Sequence, residues 1–394
     1  MKRYPAMPAI RTIITMAIIT KLLAIPGLFE DRNILDAPRS LKRGVKNIKS
    51  VILRIINKQR DPWIRIKKGD LKGESVLLDL ICMGVIALDN ILLVERIPQP
   101  DEVIFARKIG SFPGGTSANV AVAAAKLGAK VGFVGKVGND LNGRKLIDDL
   151  KRSNVDASRV LIDYKAETTI TYIFIDKQGR RTIIGLPGAS ELLSYKELDL
   201  DYLKSCKIFY TEGASPEVCL KVVRELKKSG IKISLDLSEI GASSGTDTFK
   251  NLVMNADILF SNRRSFQLFT KKSDLIEPAK DLTRKGPEIV VITLGDKGCL
   301  VITEDDIISK PGFQVKIVDT TGAGDAFHGA FLFGILKGMS LEKAAELANA
   351  VAAISITHYG ARTGLPTLEQ ALNFLSLEGA GEKNEGSRYN LEEK

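Results

Sequence analysis

The segment 319–327 reads DTTGAGDAF and holds the residue types that phosphoryl transfer needs. A short polar turn passes through Gly322 and Gly324 into an apolar stretch of helical character, 326–336. Backbone N–H groups at a helix start point outward, and the helix dipole there favours an anion. Asp325 adds a carboxylate that can accept the proton of an attacking hydroxyl. The segment therefore predicts a phosphate-binding turn with a general base beside it.

The elements that must position this turn alternate between short apolar strands and helices. Strands are predicted at 76–84, 131–134, 208–210, 231–235, 258–260 and 289–293. Helices are predicted at 117–127, 141–150, 216–228, 246–253 and 274–285. Such alternation indicates a parallel sheet that is covered by helices on both faces.

Two segments, 91–112 and 167–186, interrupt this alternation because they are extended and contain no crossover helix. In the second segment, a turn at 177–179 separates two runs of β character and predicts a hairpin. A small antiparallel sheet of this kind would stand off the main sheet as a lid that keeps water away from phosphoryl transfer. Its exposed strands also lead us to expect a homodimer that forms through the lid.

Several polar residues fall where predicted strands end, which is where ligands bind in open parallel sheets. Asp89 follows the first strand, and the run 114–119 begins the first long helix. Glu212, Asn262 and the loop 293–298 follow three later strands. Their side chains are expected to meet at one edge of the sheet.

Two long motifs in the chain are specific. The first combines GGTSAN at 114–119 with VGKVGNDLNG at 134–143, and the second is DTTGAGDAFHG at 319–329. Over roughly residues 76–378 the chain resembles the ribokinase-like (phosphofructokinase-B) family of carbohydrate kinases. The resemblance implies three α/β/α layers with a mainly parallel central sheet and a small antiparallel β lid. It also implies an ATP-dependent sugar kinase that uses Mg²⁺, with a monovalent cation such as K⁺ near the site.

The resemblance assigns roles to the residues that match. Asp325 matches the catalytic base, and Gly322, Ala323 and Gly324 match the anion hole that holds the transferring phosphoryl group. The positions that match sugar-binding residues are Asp89, Gly114, Gly115, Asn119 and Glu212. Those that match ATP-binding residues are Asn262, Thr293, Gly295, Gly298 and Asn349. Those that match the surroundings of the cation are Asp319, Thr321, Ser355, His358, Gly360 and Gly364.

Three positions depart from the family's pattern. Ala87 stands where ribokinases proper usually have an asparagine, which weakens ribose as the acceptor. Ser265 replaces the glutamate of the family's Asn-x-x-Glu, so either Arg263 or Arg264 contacts phosphate directly or metal handling is impaired. Gly364 lacks a hydroxyl that some relatives offer near the cation. A nucleoside kinase of the same family and a catalytically impaired ligand-binding relative therefore stay open as alternatives.

The composition excludes several other classes of site. The cysteines at 82, 206, 219 and 299 are scattered without a CxxC pair, which indicates reduced thiols and a cytoplasmic protein rather than a zinc site or a disulfide framework. His328 and His358 are the only histidines, too few for a histidine-rich metal centre.

The net charge of +10 is concentrated at the amino end of the chain. Residues 1–75 carry 17 Lys and Arg against 6 Asp and Glu, whereas the remainder carries 40 against 41. The kinase domain, predicted at 75–378, is therefore neutral and is not expected to bind nucleic acid. Residues 1–74 predict a basic extension, either poorly ordered or an amphipathic helix for an anionic membrane or an acidic partner. A polar tail is predicted at 379–394.

Overall fold

The structure is a computed structural model that describes residues 77–178 and 180–386. The basic extension predicted at 1–74 and residues 387–394 of the predicted tail lie outside the described residues. The last described helix continues to Gly386, eight residues into the segment predicted as a tail.

Strands and helices alternate through most of the described chain. The strands are β1 Leu78–Met83, β2 Ala87–Leu93, β3 Arg107–Gly114, β4 Val131–Gly138, β5 Val155–Asp163, β6 Ile170–Ile175, β7 Arg181–Leu186, β8 Cys206–Thr211, β9 Lys232–Leu237, β10 Ile258–Asn262, β11 Ile289–Thr293, β12 Cys299–Ile302 and β13 Ile307–Lys310. The helices are α1 Thr116–Lys126, α2 Leu141–Arg152, α3 Leu200–Leu203, α4 Pro216–Lys228, α5 Glu239–Ser244, α6 Asp247–Asn255, α7 Arg263–Thr270, α8 Ile276–Thr283, α9 Ala323–Leu336, α10 Leu341–Ser355 and α11 Leu368–Gly386.

Nine of the described strands form the central sheet, in the order β13-β12-β11-β10-β9-β8-β1-β4-β5. The seven strands from β11 to β5 pair in parallel, and β12 and β13 extend the β11 edge antiparallel. The mainly parallel sheet predicted from the alternation is confirmed. This order places the carboxyl ends of β8, β9, β10 and β11 side by side. Ligands of open parallel sheets bind beyond such carboxyl ends, so we expect the site at this edge.

Helices cover both faces of this sheet. Side chains in a strand alternate between its two faces, so each strand contributes to a core on either side. On one face, Ile81 of β1 packs in a core with Phe249 of α6 and with apolar residues of α4. On the other face, Phe260 of β10 stacks on His328 of α9 at a centroid distance of 4.2 Å. The sheet is therefore buried on both sides, which explains why its strands are almost entirely apolar.

Close packing of α1 against α9 sets the geometry of the predicted site. Every residue of α1 from Ser117 to Ala125 is buried, and most are alanine or valine. A Cβ at Gly329 of α9 would lie 2.7 Å from the Cβ of Ala123, closer than side chains pack. Glycine at that position therefore lets the two helices touch, so that their amino ends lie next to each other.

The predicted lid is a four-stranded sheet with the order β3-β2-β6-β7. It consists of two antiparallel pairs, β2 with β3 and β6 with β7, which are joined by parallel pairing of β2 with β6. The lid begins earlier than the predicted 91–112, because Ala87 to Asn90 already belong to β2. Asp89, which was expected to follow a strand, lies within this one.

No helix among the described residues is long and apolar enough to cross a membrane.

Candidate active site

A cavity of about 1150 Å³ lies at the carboxyl edge of the central sheet. It is bounded by residues that follow or end β8 to β11, by the amino ends of α1 and α9, and by one face of the lid. Predicted site residues that line it are Asp89, Gly115, Asn119, Glu212, Asn262, Thr293, Gly295, Thr321, Gly322, Ala323, Gly324, Asp325 and Asn349. The structure therefore gathers most residues of the predicted sugar, phosphoryl and nucleotide positions around one space.

The turn before α9 has the backbone geometry of an anion site. Gly322 is the N-cap of the helix, with a φ of 77° in the left-handed region that favours glycine. A Cβ there would collide with Ala361, whereas a Cβ at Gly324 would meet nothing within 4 Å. The N–H groups of Gly324 and Asp325 lie in the first helical turn, where a helix offers no internal acceptor. These groups face a cavity that can admit an anion.

Asp325 presents its carboxylate to the cavity from the first turn of α9. Asn119 Nδ2 of α1 donates a hydrogen bond of 2.7 Å to Asp325 Oδ2. Burial raises the pKa of Asp325 to about 6, although the Asn119 hydrogen bond and the positive charges of Arg362 and Arg181 oppose the rise. At neutral pH this carboxylate is therefore largely ionised, yet it is a stronger base than an exposed aspartate.

Three more carboxyl groups line the same cavity. Burial raises the pKa of Asp89 to about 7, and that of Glu212 and of Asp236 to about 8. The charge of Asp325 adds to the rise in all three. Four acidic side chains around one space suit a ligand that is rich in hydroxyl donors, because carboxyl oxygens accept hydrogen bonds.

Contacts within the protein hold two of these carboxyl groups. Glu212 accepts hydrogen bonds from the backbone N–H of Val85 and from the Ser117 hydroxyl, which tie it to the β1–β2 connection and to α1. Asp89 accepts from Thr171 of β6 across the lid sheet. Gly114 makes room for Asp89, since a Cβ there would collide with its carboxylate.

The predicted nucleotide residues surround the end of the cavity near β10 and β11. Asn262 caps α7 by accepting a 2.8 Å hydrogen bond from the Ser265 N–H, and the buried Ser265 hydroxyl has no hydrogen-bond partner among the residues that the structure describes. Asn349 Nδ2 of α10 donates to Pro311 O at 2.9 Å and so holds the loop after β13. Gly298 does not line the cavity. A Cβ at Gly298 would collide with Lys310 O, so this residue shapes the turn beside the site.

The residues predicted around a cation lie next to the cavity, and of these Thr321 lines it. Asp319 Oδ1 accepts from the Thr321 N–H and hydroxyl, at 2.9 and 2.7 Å. Its Oδ2 accepts from the Gly360 N–H at 2.9 Å. A Cβ at Gly364 would lie 2.5 Å from Ser355 O, and the His358 ring is bound to the Thr357 hydroxyl. These contacts join the segment before α9 to the segment after α10.

Three charged residues of this region were not predicted from the sequence. Asp236 lies in β9 one residue beyond the predicted strand, so the rule that selected Glu212 and Asn262 would have found it. Arg181 of β7 points into the cavity together with Ile183, two residues further along the strand. Arg362 lies in an irregular segment after α10, and no local pattern marks it.

His328 lines the cavity but is held in the core. Its ring stacks on Phe260, and its Nδ1 lies 3.3 Å from the Tyr210 hydroxyl. Burial lowers the pKa of His328 to about 3, so the ring is neutral at physiological pH.

Comparison with known proteins gives consistent results. A family model described as pfkB family carbohydrate kinase matches residues 77–368. Fructokinase-2 of Oryza sativa subsp. japonica is 34% identical over 311 residues, which cover 72% of this chain and 92% of that protein. The crystal structure of the Methanocaldococcus jannaschii nucleoside kinase, an archaeal member of the ribokinase family, matches with a TM-score of 0.67 and 27% identity, over 76% of this chain and 98% of that one. The structure of Arabidopsis thaliana ribokinase complexed with ribose and ATP matches with a TM-score of 0.67 and 26% identity, over 76% and 98%.

Proposed function

The chain belongs to the pfkB family of carbohydrate kinases, and from this we propose that it transfers the γ-phosphoryl group of ATP to a hydroxyl of a sugar, with Asp325 as the general base. The observation that carries the proposal is the start of α9. There a carboxylate with a pKa of about 6 and N–H groups without internal acceptors face one cavity.

In this mechanism, ionised Asp325 accepts the proton of the acceptor hydroxyl while the hydroxyl oxygen bonds to the γ-phosphorus of ATP. The bond from that phosphorus to the β,γ-bridging oxygen breaks, and ADP leaves. The N–H groups of Gly324 and Asp325, which the helix leaves without an acceptor, would stabilise the charge on the phosphoryl oxygens, which is the main task of a phosphotransferase. Gly322 and Ala323 would shape the turn, since the Ala323 N–H donates to Thr320 O at 3.3 Å. The lid excludes water, so that the acceptor hydroxyl rather than water is the nucleophile.

The acceptor would bind between the lid and α1. Asp89 and Glu212 would accept hydrogen bonds from sugar hydroxyls, Gly115 and Asn119 would complete the wall, and Gly114 would leave room for the Asp89 carboxylate. The residues of the lid strands that line the cavity are Ala87, Asp89, Thr171, Ile173, Arg181 and Ile183, and no lid strand contributes an aromatic side chain to it. A lid that presents no aromatic side chain to the cavity favours a small polyhydroxyl acceptor over a nucleoside, whose base would stack on a ring.

ATP would lie along the ends of β10 and β11, beside Asn262, Thr293, Gly295 and Asn349, with Gly298 shaping the turn. Among the described residues no cluster of three or more His, Cys, Asp or Glu could hold a metal ion. This fits Mg²⁺, which commonly binds through one or two carboxylates, substrate phosphates and water. Bound to ATP, Mg²⁺ would neutralise phosphate charge, and Arg263 and Arg264 line the cavity near the position of the missing glutamate.

A monovalent cation, K⁺ in our proposal, would lie beside the anion turn. Asp319 and Thr321 on one segment and Ser355, His358, Gly360 and Gly364 on the other would surround it, several of them through backbone carbonyls. The support for this site is that the Asp319 carboxylate accepts hydrogen bonds from the Thr321 N–H of its own segment and from the Gly360 N–H of the other, and so joins the two segments.

The experiment that tests the function measures ADP release from ATP and Mg²⁺ with a panel of sugars, sugar acids and nucleosides. The Asp325→Asn variant is the control. We expect turnover with a sugar and a loss of at least 10²-fold in the variant. Turnover with nucleosides alone would favour the nucleoside kinase. ATP binding without turnover on any acceptor would favour a catalytically impaired relative. Its activity would have been lost when serine replaced the family's glutamate at position 265.

A further inference from the structure

Arg362 is a buried arginine whose three guanidinium nitrogens each have a partner on a different element. Nε donates to Asn119 Oδ1 of α1 at 2.8 Å, and Nη1 donates to Asp149 Oδ2 of α2 at 2.7 Å. Nη2 donates to Gly114 O, at the end of β3, also at 2.7 Å. The side chain is only 6% exposed. Burying a guanidinium is costly unless it is fully paired, so this residue is held in one place.

The contact with Asn119 fixes the direction of its amide group. Because Oδ1 accepts from Arg362, Nδ2 is the atom that faces Asp325, to which it donates at 2.7 Å. Rotating the amide by half a turn would place Nδ2 against the guanidinium, donor against donor, and would place Oδ1 against a carboxylate. Arg362 therefore selects the orientation in which Asn119 stabilises ionised Asp325.

Charged groups approach Asp325 from every side. Carboxyl groups come from Asp89 of β2, Glu212 after β8 and Asp236 of β9. Positive charges come from Arg181 of β7 and from Arg362, whereas His328 on the same helix is neutral. Three acidic neighbours make ionisation of Asp325 less favourable as they ionise, so the oriented Asn119 donor matters for its charge.

We propose that Arg362 is a positioning residue of the phosphoryl-transfer site, which holds the Asn119 amide in the orientation that donates to Asp325. Arg362 acts through Asn119 rather than on the acceptor, because it is buried behind the residues that line the cavity and each of its nitrogens donates to a protein atom. The proposal rests on the proposed role of Asp325 as base and adds the residue that keeps this base in place and ionised.

The test measures the ionisation of Asp325 directly, in protein labelled with [4-¹³C]aspartate and titrated by carboxyl ¹³C NMR. The resonance of Asp325 is the one that is missing from Asp325→Asn. We expect its midpoint to rise by about one pH unit in Arg362→Met, because a hydrogen bond to the charged form is lost with the orientation of Asn119. When Asn119→Ala is already present, adding Arg362→Met should raise the Asp325 midpoint clearly less than it does in the parent protein.

An unchanged midpoint in folded Arg362→Met would overturn the proposal. An equal shift with and without Asn119 would also overturn it, because the charge of Arg362 would then act directly. If Arg362→Met does not fold, Arg362→Lys keeps the charge, but its single compact ammonium group does not reproduce the planar fork that meets three acceptors on three different elements. If the Asp325 midpoint of Arg362→Lys rises toward that of Asn119→Ala, the positioning role is supported. If it equals the midpoint of the parent protein, the positioning role is contradicted.

Asp149→Asn is the matched control, because it weakens the outer contact of Arg362 and leaves the Nε contact with Asn119. The Asp325 midpoint in Asp149→Asn should stay close to that in the parent protein. The titration needs no turnover, so it gives a result even if the protein phosphorylates none of the acceptors in the panel. Once an acceptor is known, a midpoint moved from about 6 to about 7 should lower kcat of Arg362→Met about fivefold at pH 6 and little at pH 8, with little change in the KM for ATP, as expected of a residue that acts on the base.

Discussion

At the scale of single residues, the ionisation of Asp325 sets the pH range of activity. Its pKa is raised to about 6, mainly by burial. Because a general base must be ionised, we expect kcat/KM to fall tenfold per pH unit below about pH 6, which a profile from pH 5 to 9 would measure. A profile that stays flat down to pH 5 would contradict this.

The control for that profile is Asp236→Asn. Burial raises the pKa of Asp236 to about 8, so this group is already neutral where Asp325 titrates. Its replacement should leave the acid limb near pH 6 even if the maximal rate changes.

Two glycines of the anion turn give a second prediction at this scale. Gly322→Ala places a Cβ against Ala361 at a φ of 77°, which we expect to destabilise the protein by about 1–3 kcal/mol. Gly324→Ala adds a Cβ into open space within a helix and should leave stability unchanged or slightly higher. Thermal unfolding of the two variants would measure the difference, and equal melting temperatures would argue against strain at Gly322.

At the scale of elements, the sequence predicted the parts whose signal is local. The strands of the central sheet are short apolar runs, and their ends marked Glu212 and Asn262. The strands β5, β12 and β13 and the start of β2 were missed, because they are short, lie at an edge of the central sheet or belong to the lid, where burial is incomplete. Arg362 was missed for another reason, since its partners are 213 to 248 residues away in the chain.

The lid offers a prediction about assembly. β7 is an edge strand of the lid sheet, and Ile184 and Leu186 are 51% and 48% exposed on the side opposite to Arg181 and Ile183. An apolar edge of this kind favours pairing with another chain, so we propose a homodimer through the lid. Replacing both residues by lysine should convert a dimer into a monomer in light scattering after size exclusion.

The matched control for the lid is a double lysine substitution at Val103 and Phe105, which are 88% and 92% exposed but lie outside the lid strands. This control should leave the molar mass unchanged. A parent protein that is monomeric at micromolar concentration, or a dimer that survives the Ile184 and Leu186 changes, would contradict the proposed interface.

At the scale of the whole molecule, the four carboxyl groups of the cavity oppose folding at neutral and basic pH. A carboxyl group whose pKa is raised in the folded state keeps its proton where the unfolded chain has already lost it. The unfolded state is therefore favoured increasingly as pH rises from about 4, the unfolded value, to about 8, the folded value of Glu212 and Asp236. Each unit of difference corresponds to about 1.4 kcal/mol.

We therefore expect the melting temperature of the ligand-free protein to fall between pH 5.5 and 8.5, and Asp236→Asn to reduce that fall. At pH 8.5 the variant should melt at least about 2 °C higher than the parent, whereas at pH 5.5 the two should differ less. Asp163→Asn is the control, because hydrogen bonds and Lys136 lower the pKa of Asp163 to about 2. Asp163→Asn should lower the melting temperature by a similar amount at every pH between 5.5 and 8.5. A parallel offset for Asp236→Asn would instead mean that its carboxyl group is ionised in the folded protein, and that the cavity is better solvated than its burial indicates.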